Sequence, residues 1–124
     1  MRASLAAGDA ADLGQARPSL MDGLVCATAS PVAWPLLRSG LAAAIAIDDA
    51  TARAALAAAT RGTDGDPALA IGETGIAGLA GVCAACGDAT TAAALGLDAT
   101  SRVLAVACEG VTDEGVLAAV LATA

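Results

Sequence analysis

Ala68-Leu69-Ala70-Ile71-Gly72-Glu73-Thr74-Gly75-Ile76-Ala77-Gly78-Leu79-Ala80-Gly81-Val82-Cys83-Ala84-Ala85-Cys86 is the stretch on which the reading of the fold turns. Residues 68–71 form a short, unbroken apolar run, as in a strand buried on both faces. Residues 72–75 interrupt it, and residues 76–86 continue as an apolar helix. Gly75, Gly78 and Gly81 share one side of that helix. Each glycine costs roughly 1 kcal/mol against Ala in a helix. The spacing therefore predicts that another backbone approaches closely here, most simply a sheet.

The same unit recurs on either side. Upstream, the apolar run 41–47 leads into Asp48-Asp49, either of which can cap a helix over 50–60. Ala52, Ala55, Leu56 and Ala59 then fall on one helical face. Arg61-Gly62 and a turn over 63–67 close the unit. Downstream, the apolar run 103–108 leads through 109–112 into a helix over 113–123, with Thr112 as the expected N-cap. Residues 89–97 read as a short helix or a loop, and 98–101 as a turn. Residues 19–28 and 32–39 read as helical, with Pro31 suited to the first turn of the second and Pro35 also compatible with one.

Strand–helix repetition predicts an α/β fold: a partial parallel sheet of about three strands with flanking helices. Residues 1–18 are expected to be weakly ordered, and 19–124 to form one α/β domain. So narrow a parallel sheet normally wants cover on both faces, which suggests that part of the domain lies elsewhere.

Composition narrows the function. Of 124 residues, 57% are hydrophobic but Trp34 is the only aromatic. Alanine supplies most of the apolar count and buries little area per residue, so the expectation is modest stability or reliance on a partner surface. The net charge is −7, and the six basic residues are all arginines scattered along the chain. With no basic stripe, neither nucleic acid nor an anionic membrane is an expected partner. Mean hydropathy is +0.72, yet the longest uncharged runs, 23–37 and 74–87, fall short of the ~20 residues that span a bilayer. A cytoplasmic chain with reduced thiols is expected. Cys26, Cys83, Cys86 and Cys108 are expected as small core residues. Cys83 and Cys86 have redox-motif spacing, but they sit at the end of a helical run, whereas a thioredoxin-type thiol sits at a helix start.

In a parallel sheet, ligands bind beyond the carboxyl ends of the strands. Those ends carry Asp48-Asp49, Gly72-Glu73-Thr74-Gly75 and Cys108-Glu109-Gly110. The last two combine small residues, an acid and a hydroxyl or thiol beside a helix start, a rim that suits a polar small molecule. The same residues also suit a plainer role, as capping acids and turn glycines. Without histidine, Ser-His-Asp and Cys-His catalysis are excluded in their usual form. Asp64 and Asp66 sit in a Gly/Pro turn with too few oxygen donors around them for a calcium loop, and no metal site is expected.

Three ordered stretches carry a resemblance. The first is Met21-Asp22-Gly23-Leu24-Val25-Cys26 with Pro31-Val32-Ala33-Trp34-Pro35-Leu36-Leu37-Arg38-Ser39-Gly40. The second is Ile71-Gly72-Glu73-Thr74-Gly75-Ile76-Ala77-Gly78-Leu79-Ala80-Gly81. The third is Leu95-Gly96-Leu97-Asp98 with Ser101-Arg102-Val103-Leu104, running into Glu109-Gly110-Val111-Thr112-Asp113. Together they resemble the C-terminal half of diaminopropionate ammonia-lyase, of the tryptophan-synthase-β-like, fold type II group of pyridoxal-phosphate enzymes. The resemblance implies a fragment of that architecture and α,β-elimination of ammonia from 2,3-diaminopropionate or a similar amino acid, giving pyruvate. In that family a lysine holds the cofactor as a Schiff base and a glycine-rich loop binds its phosphate; both belong upstream of the matching region.

By the same resemblance, the cofactor-contacting positions here are Glu73, Thr74, Gly75, Cys108, Glu109 and Gly110, with no catalytic residue in this chain. Ala107 and Cys108 stand where the family usually has hydroxyls, and a thiol is the poorer hydrogen-bond partner. There is no lysine in the chain. The implied function is therefore that of a lyase segment not competent alone, with an amino acid as substrate and a complementary N-terminal chain or a second copy as partner. The alternative is a non-catalytic interaction module or a degenerate remnant of the same fold.

Overall fold

Three aspartates and their neighbours set out most of the local structure. Asp48 accepts hydrogen bonds from Thr51 N (2.8 Å) and Thr51 Oγ1 (2.7 Å) and so starts the longest helix. Asp88 accepts from Thr91 N (2.9 Å) and also from its hydroxyl, and Asp113 from Gly115 N (2.8 Å) and Val116 N (3.1 Å). Each carboxylate satisfies N–H groups that have no intrahelical partner in a first turn. In the computed structural model, which describes residues 1–62 and 65–123, the helices are α1 (Arg2–Ala7), α2 (Trp34–Gly40), α3 (Asp49–Arg61), α4 (Ala77–Gly87), α5 (Ala89–Leu95) and α6 (Glu114–Ala122). A single 3₁₀ turn, Asp22–Leu24, lies between α1 and α2. The expected turn over 63–67 lies partly outside the described residues: nothing is described at Thr63 or Asp64.

Helix α3 is the centre of the fold, packing on α4 and α6, while α4 also packs on α5. Ala52 and Leu56 present the buried side of α3, one turn apart. Around them gather Met21, Ile71, Ile76 and Val120, with Leu20, Ile47, Leu79 and Leu117 partly buried at the edge. Gly62 stops α3 with φ +70°, a left-handed value that costs other residues steric strain. Asp113, not Thr112, caps α6. Residues 19–28 contribute the 3₁₀ turn and no α-helix, and α2 begins at Trp34 with Pro35 in its first turn.

The expected sheet is not there. Among the described residues no strand forms; one isolated antiparallel bridge joins Asp12 and Thr28. The α/β reading, with a partial parallel sheet of about three strands, is therefore corrected to a helical fold. The hydrogen bonding shows why. A parallel ladder needs evenly spaced bonds between neighbouring backbones over several residues. Leu69 instead donates its N–H to Ala59 O at the end of α3 (2.9 Å), and one backbone bond, Gly72 N to Glu109 O (3.2 Å), joins the second apolar run to the third. The third run has cover on one side only, where Ala105 and Val106 lie beside Gly78 of α4, and Val103, Leu104 and Val106 are 51%, 90% and 72% exposed. Parallel strands want both faces buried, and here the helices supply one side only.

The glycines of α4 follow the same logic. A Cβ on Gly75 would lie 2.5 Å from Glu109 O, so this position needs glycine for a close approach. Gly81 has open space around it. The approach expected along the whole glycine side is thus closest at its start, loosens at Gly78, where a Cβ would meet Val106 O at 3.7 Å, and ends before Gly81; it is made by a segment that forms no strand. The cysteines are also placed differently from expectation: all four are exposed.

No single helix among the described residues is long and apolar enough to cross a membrane. Helices α4 and α5 pass that test only as a pair, and they bend by 108° at the break between them.

Candidate functional site

Residues 71–76 are buried at every position, between α3 on one side and the 109–110 backbone on the other. Glu73 and Thr74 are each 7% exposed, the most buried polar side chains after Ser4. Two long-range segments close on this turn. Thr74 donates its N–H to Glu109 Oε1 (2.8 Å), and its Oγ1 accepts from Gly23 N (3.1 Å). Gly72 donates its N–H to Glu109 O (3.2 Å), while Ile76 N reaches back to Gly72 O (3.0 Å) and so opens α4.

A second carboxylate fastens the Gly23 side. Asp49, in the first turn of α3, accepts from Ser19 Oγ (2.7 Å) and Leu20 N (3.0 Å), and Ser19 Oγ also accepts from Met21 N (3.1 Å). The Ser19 hydroxyl holds the Asp49 carboxyl below its ordinary value, aided by Leu20 N–H and Arg53, against desolvation and the neighbouring Asp48 charge. Asp48 does the capping, which frees Asp49 for this long-range role. Gly23, Ser19 and Asp49 were not among the site residues read from sequence. The signal for Asp49 was a doubled acid at a helix start, where one carboxylate suffices.

Of the six positions inferred from the resemblance, the structure brings Thr74, Gly75, Glu109 and Gly110 into contact around Gly72. Glu73 is buried beside them, and Cys108 is exposed to solvent. The cluster is tight. A Cβ on Gly72 would run into Gly110 O, and one on Gly23 would lie 2.9 Å from Thr74 Cγ2.

Pyridoxal phosphate does not fit this arrangement. The backbone N–H groups of Gly72 and Thr74, which could otherwise cradle an anion, are both taken by Glu109. The open sides of Gly72 and Gly75 are filled by the 109–110 backbone, and no side chain in the chain carries a primary amine. The larger cavities lie elsewhere. One of about 510 Å³ runs along α3, lined by Arg53, Ala57 and Arg61 among others, and one of about 430 Å³ lies between Gln15–Arg17 and Leu24–Cys26. Neither is lined by any of the six positions. Among the described residues no group of three His, Cys, Asp or Glu side chains is placed to hold a metal ion.

No family model matches the chain, and no curated protein and no solved structure matches it.

Proposed function

We propose that this chain is a non-catalytic segment of pyridoxal-phosphate ammonia-lyase descent, corresponding to the C-terminal part of such an enzyme. Elimination of ammonia from 2,3-diaminopropionate, or a similar amino acid, would require a lysine-bearing polypeptide that this chain does not contain. One observation carries the reading. Gly23, Thr74 and Glu109 belong to the three separate stretches that resemble the family, and they are joined by consecutive hydrogen bonds across 51 and 35 residues. Convergence of three distant matches on one cluster is what common descent from a folded site would leave. The second support is chemical: a Schiff base to an aldehyde needs a primary amine, and no side chain here offers one. A cytoplasmic setting accords with four free thiols.

The test begins with the DNA immediately upstream of the coding sequence. It should encode, in frame or adjacent, a lysine-bearing polypeptide with a glycine-rich loop. The purified chain with pyridoxal phosphate and 2,3-diaminopropionate should release no pyruvate, and the upstream polypeptide should co-elute with it. Pyruvate from the chain alone, or no lysine-bearing sequence upstream, overturns the proposal.

A second reading is a non-catalytic interaction module that pairs with another copy of itself. The exposure of Leu104 and Val106 favours it. Light scattering across a concentration series decides it, since a monomer at every concentration removes it.

A further inference from the structure

We propose that Cys83 and Cys86 form a dithiol site on α4 that exchanges with low-molecular-weight disulfides and closes into an intrahelical disulfide. Both thiols are free and exposed, whereas Ala80 and Ala85 of the same helix are buried. Both are available to a small molecule, Cys83 at the mouth of the groove that α4 forms with Ala55, Ala58 and Ala59 of α3, while the buried neighbours anchor the helix.

The backbone spacing suits ring closure. With ~1.5 Å rise and ~3.6 residues per turn, Cα atoms three apart lie about 5 Å from each other, inside the ~4.4–6.8 Å range of disulfides. Their Cβ atoms start about 5–6 Å apart, against roughly 3.5–4.5 Å in a closed bridge, so the final turn must tighten by about 1.5 Å. Room for that exists. Helix α4 ends at the next residue, Gly87, around which even an added Cβ would meet nothing within 4 Å, and the chain then turns by 108° into α5. Because tightening strains the bridge, the disulfide would be of the labile, reducible kind.

The step balances as follows. One thiolate attacks the disulfide RSSR, forming a mixed disulfide and expelling RS⁻. The second thiolate attacks the bonded cysteine sulfur, forming the Cys83–Cys86 bond and expelling a second RS⁻. The two cysteine protons end on two RSH molecules, and RSSR has taken up the two electrons.

The arginines make the test direct. Trypsin cuts after Arg61 and Arg102 and releases residues 62–102, which hold Cys83 and Cys86 but neither Cys26 nor Cys108. The full folded chain is incubated with excess oxidised glutathione, remaining thiols are alkylated, and the peptide is weighed. The expected peptide is lighter than its reduced form by two hydrogens and carries no alkyl and no glutathionyl group. Cys83→Ser and Cys86→Ser should each retain one glutathionyl group instead, because the resolving thiol is gone. A wild-type peptide bearing two glutathionyl groups, or two alkyl groups, overturns the proposal.

Discussion

Residues 71–76 and residues 103–108 differ completely in surroundings although they are tied together at their ends. The first segment is buried at every position, and the second is exposed at every position. Thr74 N and Gly72 N both bond to Glu109, immediately after the exposed segment. Nothing in apolar content explains the contrast, since Val103, Leu104 and Val106 are as hydrophobic as Ile71 and Ile76. What differs is cover. Residues 71–76 lie against Leu56 of α3 and Val120 of α6, whereas the helices do not reach the outer side of 103–108. Burial is thus a property of neighbours: the more polar of the two segments is the buried one.

The contrast can be broken from the buried side first. Ile76 is fully buried in the core. Ile76→Ala should lower the unfolding free energy by roughly 2–5 kcal/mol, the usual range for such a cavity. Urea denaturation followed by circular dichroism measures it, and a loss comparable to that at an exposed site would mean that this core does not form. Next comes Gly75→Ala, which places a methyl 2.5 Å from Glu109 O. Backbone must shift to admit it, at a cost of about 1–3 kcal/mol. The same substitution at Gly81, where space is open, should be neutral or stabilising, since Ala is the better helix former. Equal effects at the two glycines would refute the close approach.

Glu109→Ala removes the acceptor of Thr74 N–H and should cost about 1–3 kcal/mol by leaving a buried donor unpaired. The cleaner readout is hydrogen exchange, in which the Thr74 amide should lose protection while amides in the middle of α3 keep theirs. Acid probes the other tether. The Asp49 carboxyl is lowered in the folded chain, chiefly by the Ser19 hydroxyl. The unfolded chain therefore binds the proton more readily. The stabilisation is present above the ordinary value of 3.8 and is lost as pH falls through the lower folded value. Asp49→Asn should reduce that acid sensitivity, as followed by thermal melts between neutral and strongly acidic pH. The smallest effect belongs to the exposed segment: Leu104→Ser should change stability by no more than about 0.5 kcal/mol. A larger loss in the free chain would show that 103–108 is covered in solution, for instance by another copy.

Much of the helical layout was legible because its causes are local. Asp48 sits immediately before α3 as one of the two expected caps, and a cap acts on N–H groups two or three residues away; at α6 the cap is Asp113, one residue beyond the expected Thr112. The core side of α3 could be read from the spacing of Ala52 and Leu56 alone. In the candidate site, Thr74, Gly75 and Glu109 were visible as an acid, a hydroxyl and a glycine at helix starts. Gly23 and Asp49 were not, since their roles depend on partners 51 and 30 residues away. The sheet was misread because an apolar run of four to six residues looks the same whether it is paired or not. The cysteines were misread for a related reason: a small apolar residue at a helix end is buried only if another element packs over it.

By itself, then, the order of residues determined the places of α3, α4 and α6, the absence of any side-chain amine, and the acidic character of the chain, but neither α1 nor the lack of an α-helix over 19–28. Tertiary structure alone decided that Leu69 would bond to a helix end, that Glu109 would occupy the amides of Gly72 and Thr74, and that Cys83 and Cys86 would be exposed. The division has one physical cause. Capping and helical periodicity act within a turn or two of the chain, whereas ladders, burial and anion-binding amides depend on which distant backbone arrives first.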